Sequence, residues 1–423
     1  MRSLYTLGIY LYLLIIRLGA LFLIKAKLWW EGRINWETRL NEALTAKRKP
    51  NQTTIWVHSA SLGEFEQGRP LMESIKKEHP EVFILLTFFS PSGYEIRKNY
   101  PNADLVVYLP ADLKRNARKF IQIVQPKLAI FVKYEFWYNY LQELQMQQVP
   151  IWLIAALFRP QQPFFRAWGA WYLKILRGFD HFFVQNQESA DLLQRFGLNQ
   201  YTIAGDPRVD RVLQIAAEAK QFPQVEAFKQ QSQVFMVGSS WEPDEQIMAT
   251  FWQEEALLNN WKMIIAPHEI TESHLSQIEA KFGGLCVRYS KFDPANHFEY
   301  PVLIIDNIGM LSALYSYADL AYIGGGFGSG IHNTLEPMAF GLPVIFGPKY
   351  QKFTEAVSVL ELGGAKKIQS STDLIEAFRD FTDPTNKAKA SAAVSNYMQQ
   401  NRGATGKIIY RLKEQFPHLF NPY

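Results

Sequence analysis

Continuous apolar runs alternate with polar, helix-forming stretches along the chain after residue 51. Before residue 206 the apolar runs are TTIWVHSA, VFILLTFF, LVVYLP, LAIFVKY, IWLIAAL, HFFVQN and YTIAG. Runs without polar alternation are typical of strands that are buried on both faces, and intervening helices indicate parallel crossovers. The pattern therefore predicts a parallel α/β domain over residues 50–205.

The same pattern starts again near residue 233. Its apolar runs are QVFMVGSS, WKMIIAP, GLCVRYS, VLIID, LAYIGG, PVIFG and AKKIQ. They predict a second α/β domain over residues 233–400. A polar, helical connector is expected at 206–232, and a C-terminal helix or tail at 401–423. We expect two Rossmann-like domains that face each other across a cleft, with the ligand near the residues that follow the strands.

A hydrophobic segment opens the chain, from Leu4 to Ile24. At 1.5 Å per residue it is long enough to cross a hydrocarbon core. Arg17 interrupts it, and an arginine in mid-membrane is costly unless its side chain snorkels to the surface. We predict a membrane anchor, monotopic or spanning, within residues 1–30. A buried helix of a soluble protein is one alternative. A signal peptide is another, although the segment lacks an A-x-A-like cleavage site.

The charges after this segment give an orientation. Positive residues next to a membrane segment stay on the cytoplasmic side, so we expect the body of the protein in the cytoplasm. The positive residues are Lys25, Lys27, Arg33, Arg39, Lys47, Arg48 and Lys49.

Composition narrows the functional class further. The 423 residues are 48% hydrophobic and carry a net charge of +4, without a concentrated basic run, so we expect a packed protein that does not bind nucleic acid. One cysteine, Cys286, excludes an internal disulfide and a CxxC metal site. The eight histidines form no HExxH or HxH pattern. We expect no metal, no cofactor and no obligate protein partner.

Two polar positions follow strands of the first domain. Glu64 comes after the first strand, in HSASLGEFEQGRP. One interpretation is an acid in the first turn of a helix, where the helix dipole stabilises it. The other is a general base, which needs a pKa nearer neutrality, so desolvation would have to offset the dipole. Ser90 and Ser92, after the second strand, either cap a helix or contact a ligand.

The stretch AYIGGGFGSGIHNTLEPMAFGLPVIFGP, residues 321–348, is the most informative part of the second domain. Three glycines end a strand, and we expect them to let the backbone approach a ligand closely. His332 and Asn333 then lead into a short helix with Glu336, whose carboxylate can accept hydrogen bonds from both hydroxyls of a ribose. The glycines do not match the dinucleotide pattern GxGxxG, and VGSSWEPDE, residues 237–245, is not a Walker A loop.

Taken together, these motifs resemble the 3-deoxy-D-manno-octulosonic acid (Kdo) transferases, glycosyltransferase family 30. The resemblance covers nearly the whole chain and is carried by HSASLGEFEQGRPL, SPSGYE, YLPAD, EFWYN, GDPRVD, DNIGML, GSGIHNTLEP and FGPKYQKFTEA. It implies a GT-B fold. It also implies an inverting, metal-independent transfer of Kdo from CMP-Kdo to a lipid A precursor, in lipopolysaccharide biosynthesis at the cytoplasmic face of the inner membrane.

The resemblance also implies roles for individual residues. Glu64 corresponds to the family's catalytic base. The candidate contacts of the CMP-Kdo donor are Gly63, Pro267, His268, Ile308, Gly309, Met310, Asn333 and Glu336.

The chain departs from the family pattern at three places. Residues 267–269 read Pro-His-Glu where many members have Pro-Arg-His, so an arginine that contacts the donor phosphate is missing and His268 is its candidate replacement. Lys133 reverses a charge, and residues 155–157 read Ala-Ala-Leu where an Asn-Ala-Arg segment is usual. We expect an altered acceptor lipid or an altered number of Kdo additions. The acceptor-side candidates are Ser90, Ser92, Glu135, Arg159 and Arg166.

Other functions stay open at this point. Another GT-B glycosyltransferase would use a nucleotide-diphosphate sugar on a membrane lipid, and competition by UDP instead of CMP would reveal it. A cytosolic nucleotide-sugar epimerase shares the fold but needs no anchor. A non-catalytic lipid A precursor-binding protein is the third alternative, and the presence of Glu64 and Glu336 argues against it.

The aromatic and basic stretch from Phe158 to Phe179 yields the first testable prediction. It is either a core helix with solvated charges or a surface that meets anionic headgroups and acceptor phosphates. On the second interpretation, Arg159→Glu together with Arg166→Glu weakens binding to anionic liposomes and lowers acceptor use, while the affinity for CMP stays the same. Liposome flotation and CMP titration measure the two quantities, and unchanged flotation would count against the surface role.

Overall fold

The computed structural model describes residues 2–254, 261–297 and 299–417, and the chain divides into two compact units. The N-terminal unit contains Met1–Asp210 and Asn401–Tyr423, and the C-terminal unit contains Arg211–Gln400. The division falls inside the segment 206–232 that the sequence assigned to a connector. Most of that segment therefore belongs to the C-terminal unit, while the end of the chain belongs to the N-terminal unit.

Each unit is built on a seven-stranded parallel sheet. In the N-terminal unit the strand order is β3-β2-β1-β4-β5-β6-β7, and the strands are β1 (Thr54–Ser59), β2 (Phe83–Phe88), β3 (Leu105–Tyr108), β4 (Leu128–Val132), β5 (Ile151–Ala156), β6 (His181–Val184) and β7 (Tyr201–Ile203). In the C-terminal unit the order is β10-β11-β9-β8-β12-β13-β14, and the strands are β8 (Gln233–Ser240), β9 (Trp261–Pro267), β10 (Cys286–Arg288), β11 (Val302–Ile304), β12 (Leu320–Ile323), β13 (Val344–Phe346) and β14 (Ala365–Lys367). Every strand lies in an apolar run that predicted it, so the doubly wound α/β prediction is confirmed.

Helices connect the strands. Those of the N-terminal unit are α1 (Arg2–Gly19), α2 (Ile24–Glu31), α3 (Trp36–Lys47), α4 (Leu62–Glu78), α5 (Pro91–Arg97), α6 (Lys114–Val124), α7 (Tyr138–Met146), α8 (Ala170–Leu176) and α9 (Gln187–Arg195). The remaining helices are α10 (Pro207–Ala217), α11 (Pro223–Lys229), α12 (Glu242–Glu254), α13 (Glu272–Phe282), α14 (Pro294–His297), α15 (Leu311–Leu314), α16 (Leu335–Met338), α17 (Thr354–Glu361), α18 (Ser371–Thr382), α19 (Pro384–Asn401) and α20 (Ala404–Gln415). The last of them, α20, packs against α4 in the N-terminal unit.

The strands of the N-terminal sheet are buried on both faces. Along β1, Trp56 packs with Phe131 and other residues in a core on one face, while Val57 packs with Ile130 in a core on the other. All of these side chains are fully buried. Because helices cover both faces, the polar side chains of this unit lie mainly at the ends of its strands.

One anchor helix over residues 4–24 was expected, but α1 ends at Gly19, a turn follows, and α2 begins at Ile24. The chain turns between α1 and α2, and the two helix axes differ by 120°. Within the described ranges, no single helix is long and apolar enough to cross a membrane, whereas the bent pair passes that test together. The turn has a packing reason, since it brings Ala26 and Trp29 of α2 into buried positions.

Arg33 attaches the turn between α2 and α3 to the N-terminal sheet. Its guanidinium donates to the carbonyl oxygens of Leu109 at 2.8 Å, Trp29 at 2.9 Å and Phe89 at 2.7 Å. It also lies 3.8 Å from the ring centroid of Trp29, a cation–π contact. Burial lowers the pKa of Arg33 to about 9, so the group stays charged at neutral pH. One cation thereby ties the N-terminal helices to the segments that follow β2 and β3.

Gly324, which follows β12, gives a prediction about the C-terminal sheet. A Cβ atom at Gly324 would lie 2.3 Å from the carbonyl oxygen of Ser239, a backbone atom that cannot move aside. We therefore expect Gly324→Ala to lower the free energy of unfolding by about 1–3 kcal/mol, as measured by urea denaturation. The matched control is Gly328→Ala, where a Cβ would meet its nearest atom at 3.5 Å. An equal loss of stability in both variants would contradict the packing argument.

Candidate active site

Glu64 lies in the first turn of α4, directly after β1, which lies between β2 and β4 in the N-terminal sheet. Ser61 is the N-cap residue of α4, yet its side chain does not cap a helix N–H. Its hydroxyl donates instead to Oε2 of the Glu64 carboxylate. Gly63 is exposed, and a Cβ there would meet nothing closer than 3.9 Å, so the surface beside the carboxylate is open. The arrangement fixes one carboxylate oxygen from inside the protein.

A buried hydrogen-bond network lies at the carboxyl ends of β1, β2 and β4. His58 is fully buried, with Nδ1 2.8 Å from Oγ1 of Thr87 and Nε2 3.1 Å from Oε2 of Glu135. Trp137 donates its indole N–H to the same Glu135 oxygen at 2.7 Å. Glu135, an acceptor-side candidate, is therefore buried and occupied by partners inside the protein. Sequence reasoning missed His58, Thr87 and Trp137, although a polar residue inside an apolar strand is a signal for the first two.

Two residues at the ends of neighbouring strands have left-handed backbone conformations. Lys133 follows β4 with φ 68°, and Ala155 near the end of β5 has φ 53°. This region costs a residue with a Cβ about 1–2 kcal/mol, and such strain concentrates at functional sites. Both residues lie in segments where the chain departs from the pattern of the family that it resembles. The departures therefore fall where the backbone itself is unusual.

The remaining acceptor-side candidates lie nearer the surface. Ser90 caps α5, since its hydroxyl accepts from the backbone N–H of Ser92 at 3.3 Å, which is the structural role that the sequence left open. Arg159 and Arg166 are exposed. The stretch that contains them is not one helix, because a 3-10 turn at Pro163–Phe165 precedes α8.

Two of the candidate charges influence the pKa of Tyr134, which lies in the segment after β4. Burial raises the pKa of Tyr134, the charge of Arg159 opposes the rise and the charge of Glu64 adds to it. Both charges thus act on the same phenol.

In the C-terminal unit, three aromatic rings meet at the ends of strands. The ring of Trp241, which follows β8, stacks on His268, which follows β9, at a centroid distance of 4.6 Å. His268 also stacks on His332, in the loop after β12, at 4.4 Å. Trp241 donates its indole N–H to Nε2 of His332 at 2.9 Å. His268 stays exposed, whereas Pro267 before it is buried. The stack fixes the plane of an imidazole that faces solvent.

A second set of polar contacts in this unit is centred on Glu336. Glu336 of α16 accepts from the side-chain amide of Asn333 at 3.0 Å and from the hydroxyl of Ser312 at 2.7 Å. Ser312 lies in α15, directly after the Ile308-Gly309-Met310 segment. Ile308 is 90% exposed, Gly309 has φ 94° with open space around it, and Met310 is buried. The donor-side candidates of this unit come from three motifs, which are Pro267-His268, Ile308-Gly309-Met310 and Asn333 with Glu336. All three motifs come at or after the ends of strands and lie at one end of the C-terminal sheet.

The glycines after β12 are required by packing inside the protein. Gly324, Gly325 and Gly326 are buried, and the atoms nearest to them are backbone atoms together with the imidazole of His332 beside Gly325. A Cβ at Gly326 would lie 2.6 Å from Cα of Gly347. That these glycines also let the backbone approach a ligand stays a prediction.

Asp244 holds the glycine loop after β12 by hydrogen bonds. It is buried and accepts from the N–H of Gly325 at 2.9 Å, from the hydroxyl of Tyr322 at 2.7 Å and from the N–H of Trp241 at 3.0 Å. Burial raises the pKa of Asp244, and these donors oppose the rise. Sequence analysis did not single out Asp244 or Trp241. The carboxylate links the glycine loop to the indole that supports His268.

Acidic and histidine side chains elsewhere in the C-terminal unit form pairs. Glu245 is fully buried, accepts from the hydroxyl of Ser240 at 2.9 Å and lies 3.0 Å from Nε2 of His274. In the part of the chain that the structure describes, no group of three or more His, Cys, Asp or Glu side chains could hold a metal ion. The metal-independent reaction stays a prediction.

Comparison with known proteins shows similarity to one family. The family model described as 3-Deoxy-D-manno-octulosonic-acid transferase (kdotransferase) matches residues 34–211. A 3-deoxy-D-manno-octulosonic acid transferase of Aquifex aeolicus is 27% identical over 365 residues, which is 85% of this chain and 93% of that protein. The enzyme of the same description from Haemophilus influenzae is 24% identical over 382 residues, 86% of this chain and 87% of its own.

The fold also has relatives among solved structures. A UDP-GlcNAc 2-epimerase from Neisseria meningitidis bound to UDP-GlcNAc superposes with a TM-score of 0.59 at 15% identity, and the match covers 85% of this chain and 99% of the other. Another UDP-N-acetylglucosamine 2-epimerase gives a TM-score of 0.60 at 12% identity, over 88% and 97% of the two chains. At these identities the likeness shows the fold alone, and it agrees with the two α/β domains that the sequence predicted.

The imidazole of His332 gives a prediction about pH. Burial lowers its pKa to about 4, and the nearby His268 acts in the same direction. Between about pH 6.5 and pH 4 the unfolded chain binds a proton here that the folded chain does not bind, so stability is present above that window and is lost as the pH falls through it. We expect the urea midpoint to drop from pH 7 to pH 5, and to drop less in His332→Gln. An NMR titration of His332 with a midpoint near 6.5 would contradict this.

Proposed function

We propose that this chain is a Kdo transferase, like the relatives that it resembles along most of its length, and that it transfers Kdo from CMP-Kdo to a lipid A precursor with inversion. Kdo transferase activity is supported by the family match and by the curated relatives along most of the chain. The choice of donor and acceptor is the finer part of the proposal. The observation that carries the proposed reaction is the carboxylate of Glu64, held by Ser61 after the end of β1 with open surface beside it.

In the proposed reaction Glu64 is the general base. A hydroxyl of the acceptor loses its proton to the carboxylate while its oxygen attacks the anomeric carbon of Kdo. The bond from that carbon to the phosphate oxygen breaks, and CMP leaves with the electron pair as a phosphate monoester. The hydroxyl of Ser61 occupies one carboxylate oxygen, which leaves the other for the incoming proton.

The donor is proposed to bind at the end of the C-terminal sheet. Glu336, oriented by Asn333 and Ser312, is suited to accept hydrogen bonds from the ribose hydroxyls. The imidazole of His268, held in its plane by Trp241 and His332, is the group that takes the place of the missing arginine opposite the phosphate. No metal or cofactor is part of the proposal.

The acceptor is proposed to reach the enzyme from the cytoplasmic face of the inner membrane. The N-terminal helices expose apolar side chains, and Arg159 and Arg166 are available to the phosphates of a lipid A precursor. An acceptor preference that differs from that of other members is proposed from the departures of the chain at Lys133 and at residues 155–157.

Replacing the proposed base gives the decisive test. We expect Glu64→Gln to lower transfer by about 10²–10⁴-fold, because an amide cannot take up the proton. The assay is radiolabelled transfer in detergent, with CMP-Kdo generated in place and a tetra-acylated, bisphosphorylated lipid A precursor. The matched control is Glu66→Gln on the same helix, where the carboxylate pairs with Arg69 and Arg97. It removes the same charge and should keep transfer within a few-fold of wild type.

Each outcome of this assay has a distinct meaning. An active Glu64→Gln variant would overturn the assignment of the base. Equal losses in both variants would point to the fold of α4 instead. A folded wild type that binds CMP but does not transfer would mean a different acceptor, and competition by UDP in place of CMP would mean a different donor class.

A further inference from the structure

The helix α1 is attached to the N-terminal unit along one side. Near its start, the hydroxyl of Tyr5 donates to Oδ2 of Asp112 at 2.5 Å. Two turns later, the ring of Tyr12 lies 5.7 Å from that of Trp29 and 6.0 Å from that of Phe89. Asp112 is itself buried and accepts from the backbone N–H groups of the first residues of α7. These contacts hold α1 lengthwise against the body of the unit.

The opposite side of α1 is apolar and exposed. Its residues follow one another at spacings of three and four, which places them on one face of a helix. They are Leu4, Leu7, Leu11, Leu14, Ile15 and Leu18, and the turn after α1 adds Leu21, Phe22 and Leu23, all between 53% and 85% exposed. Single exposed apolar residues are ordinary, but a contiguous patch of this kind indicates an interaction surface.

The charges around this face indicate what kind of surface it binds. The first acidic residue of the chain is Glu31, so every charge before it is positive. Arg2, Arg17, Lys25 and Lys27 are all exposed. The guanidinium of Arg17 lies 5.6 Å from the ring centroid of Trp30. Cations and an indole beside an apolar face are typical of a helix that lies in the interface of an anionic bilayer.

We propose that α1 lies in the plane of an anionic membrane surface and does not span the bilayer. A spanning helix would have to leave the body, breaking the bond from Tyr5 to Asp112 and exposing Trp29 and Phe89. The in-plane position keeps these contacts and buries the whole apolar face. It also places the turn between α1 and α2, where Leu21 is 74% and Phe22 is 85% exposed, in the lipid.

This orientation has a consequence for the acceptor, which rests on the function proposed above. The contacts of α1 lie after β2, β3 and β4, at Phe89, Asp112 and Tyr138. In a parallel sheet these segments share the carboxyl edge with the segment after β1, which carries Glu64. The membrane surface therefore meets the sheet edge that holds the proposed base. A lipid acceptor reaches that edge by moving sideways, with its acyl chains still in the bilayer.

Depth measurements at three points of the exposed face test the in-plane position. The chain has one cysteine, so Cys286→Ser gives a background for Leu4→Cys, Leu11→Cys and Leu18→Cys, each labelled with an environment-sensitive fluorophore. Vesicles of phosphatidylethanolamine and phosphatidylglycerol carry spin-labelled lipids that quench at shallow or deep positions. We expect equal, shallow depths at all three positions, about 5–10 Å below the headgroups. A deepest position at 11, with 4 and 18 near opposite surfaces, would overturn the proposal.

Flotation with vesicles tests the face itself. We expect Leu11→Glu together with Leu14→Glu to weaken flotation about tenfold or more, because two charges enter the apolar face. The matched control is Met146→Glu, an apolar residue that is 75% exposed elsewhere in the same unit, which should float like wild type. Equal flotation of all three proteins would overturn the proposal. So would vesicle-independent self-association that the same double variant abolishes, because the face would then be covered by a second copy.

Neither measurement contains a donor or an acceptor. If the wild type docks in-plane but does not transfer Kdo, the proposed function fails and the docking proposal stands. If it transfers Kdo and α1 spans, the reverse holds.

Discussion

The organising constraint of this protein is that its parallel strands are buried on both faces. A strand in that position has no place for solvated polar groups along its length, so they collect where the strands end. In the N-terminal unit this produces the His58 network and Glu64, and in the C-terminal unit the stack on His268. Each unit concentrates its polar residues at the carboxyl edge of its own sheet, because both sheets are parallel and covered by helices.

The sequence predicted this framework well because the apolar runs alone carry it. It also placed Glu64 at the start of a helix, since a strand followed by a Gly turn leaves few alternatives. It could not predict partners that are distant along the chain. His58 meets Glu135 across 77 positions, and Asp244 meets Gly325 across 81. A polar residue inside a strand signals that a partner exists but does not name it.

The glycines show a similar limit to what the sequence can predict. The pattern at residues 324–326 indicated a close approach, and the structure shows that the approaching group is the protein's own backbone. Gly309 is equally permissive but has open space around it, so it is the glycine at which a ligand can come close. The bend after α1 was missed because the apolar run continues through the turn to Ile24. The burial of Ala26 and Trp29 gives the chain a reason to turn there.

The bond between Tyr5 and Asp112 also sets an order of events during synthesis. The two residues are 107 positions apart, so α1 emerges from the ribosome well before its partner exists. At about 5–20 residues per second, that delay is on the order of 5–20 s. During this interval α1 can already pack against Trp29 of α2, but Asp112 is not yet present to hold its start. If α1 lies in a membrane surface as proposed, lipid is available to it before Asp112 has been made, and the N-terminal unit then folds beside a helix that is already at the membrane.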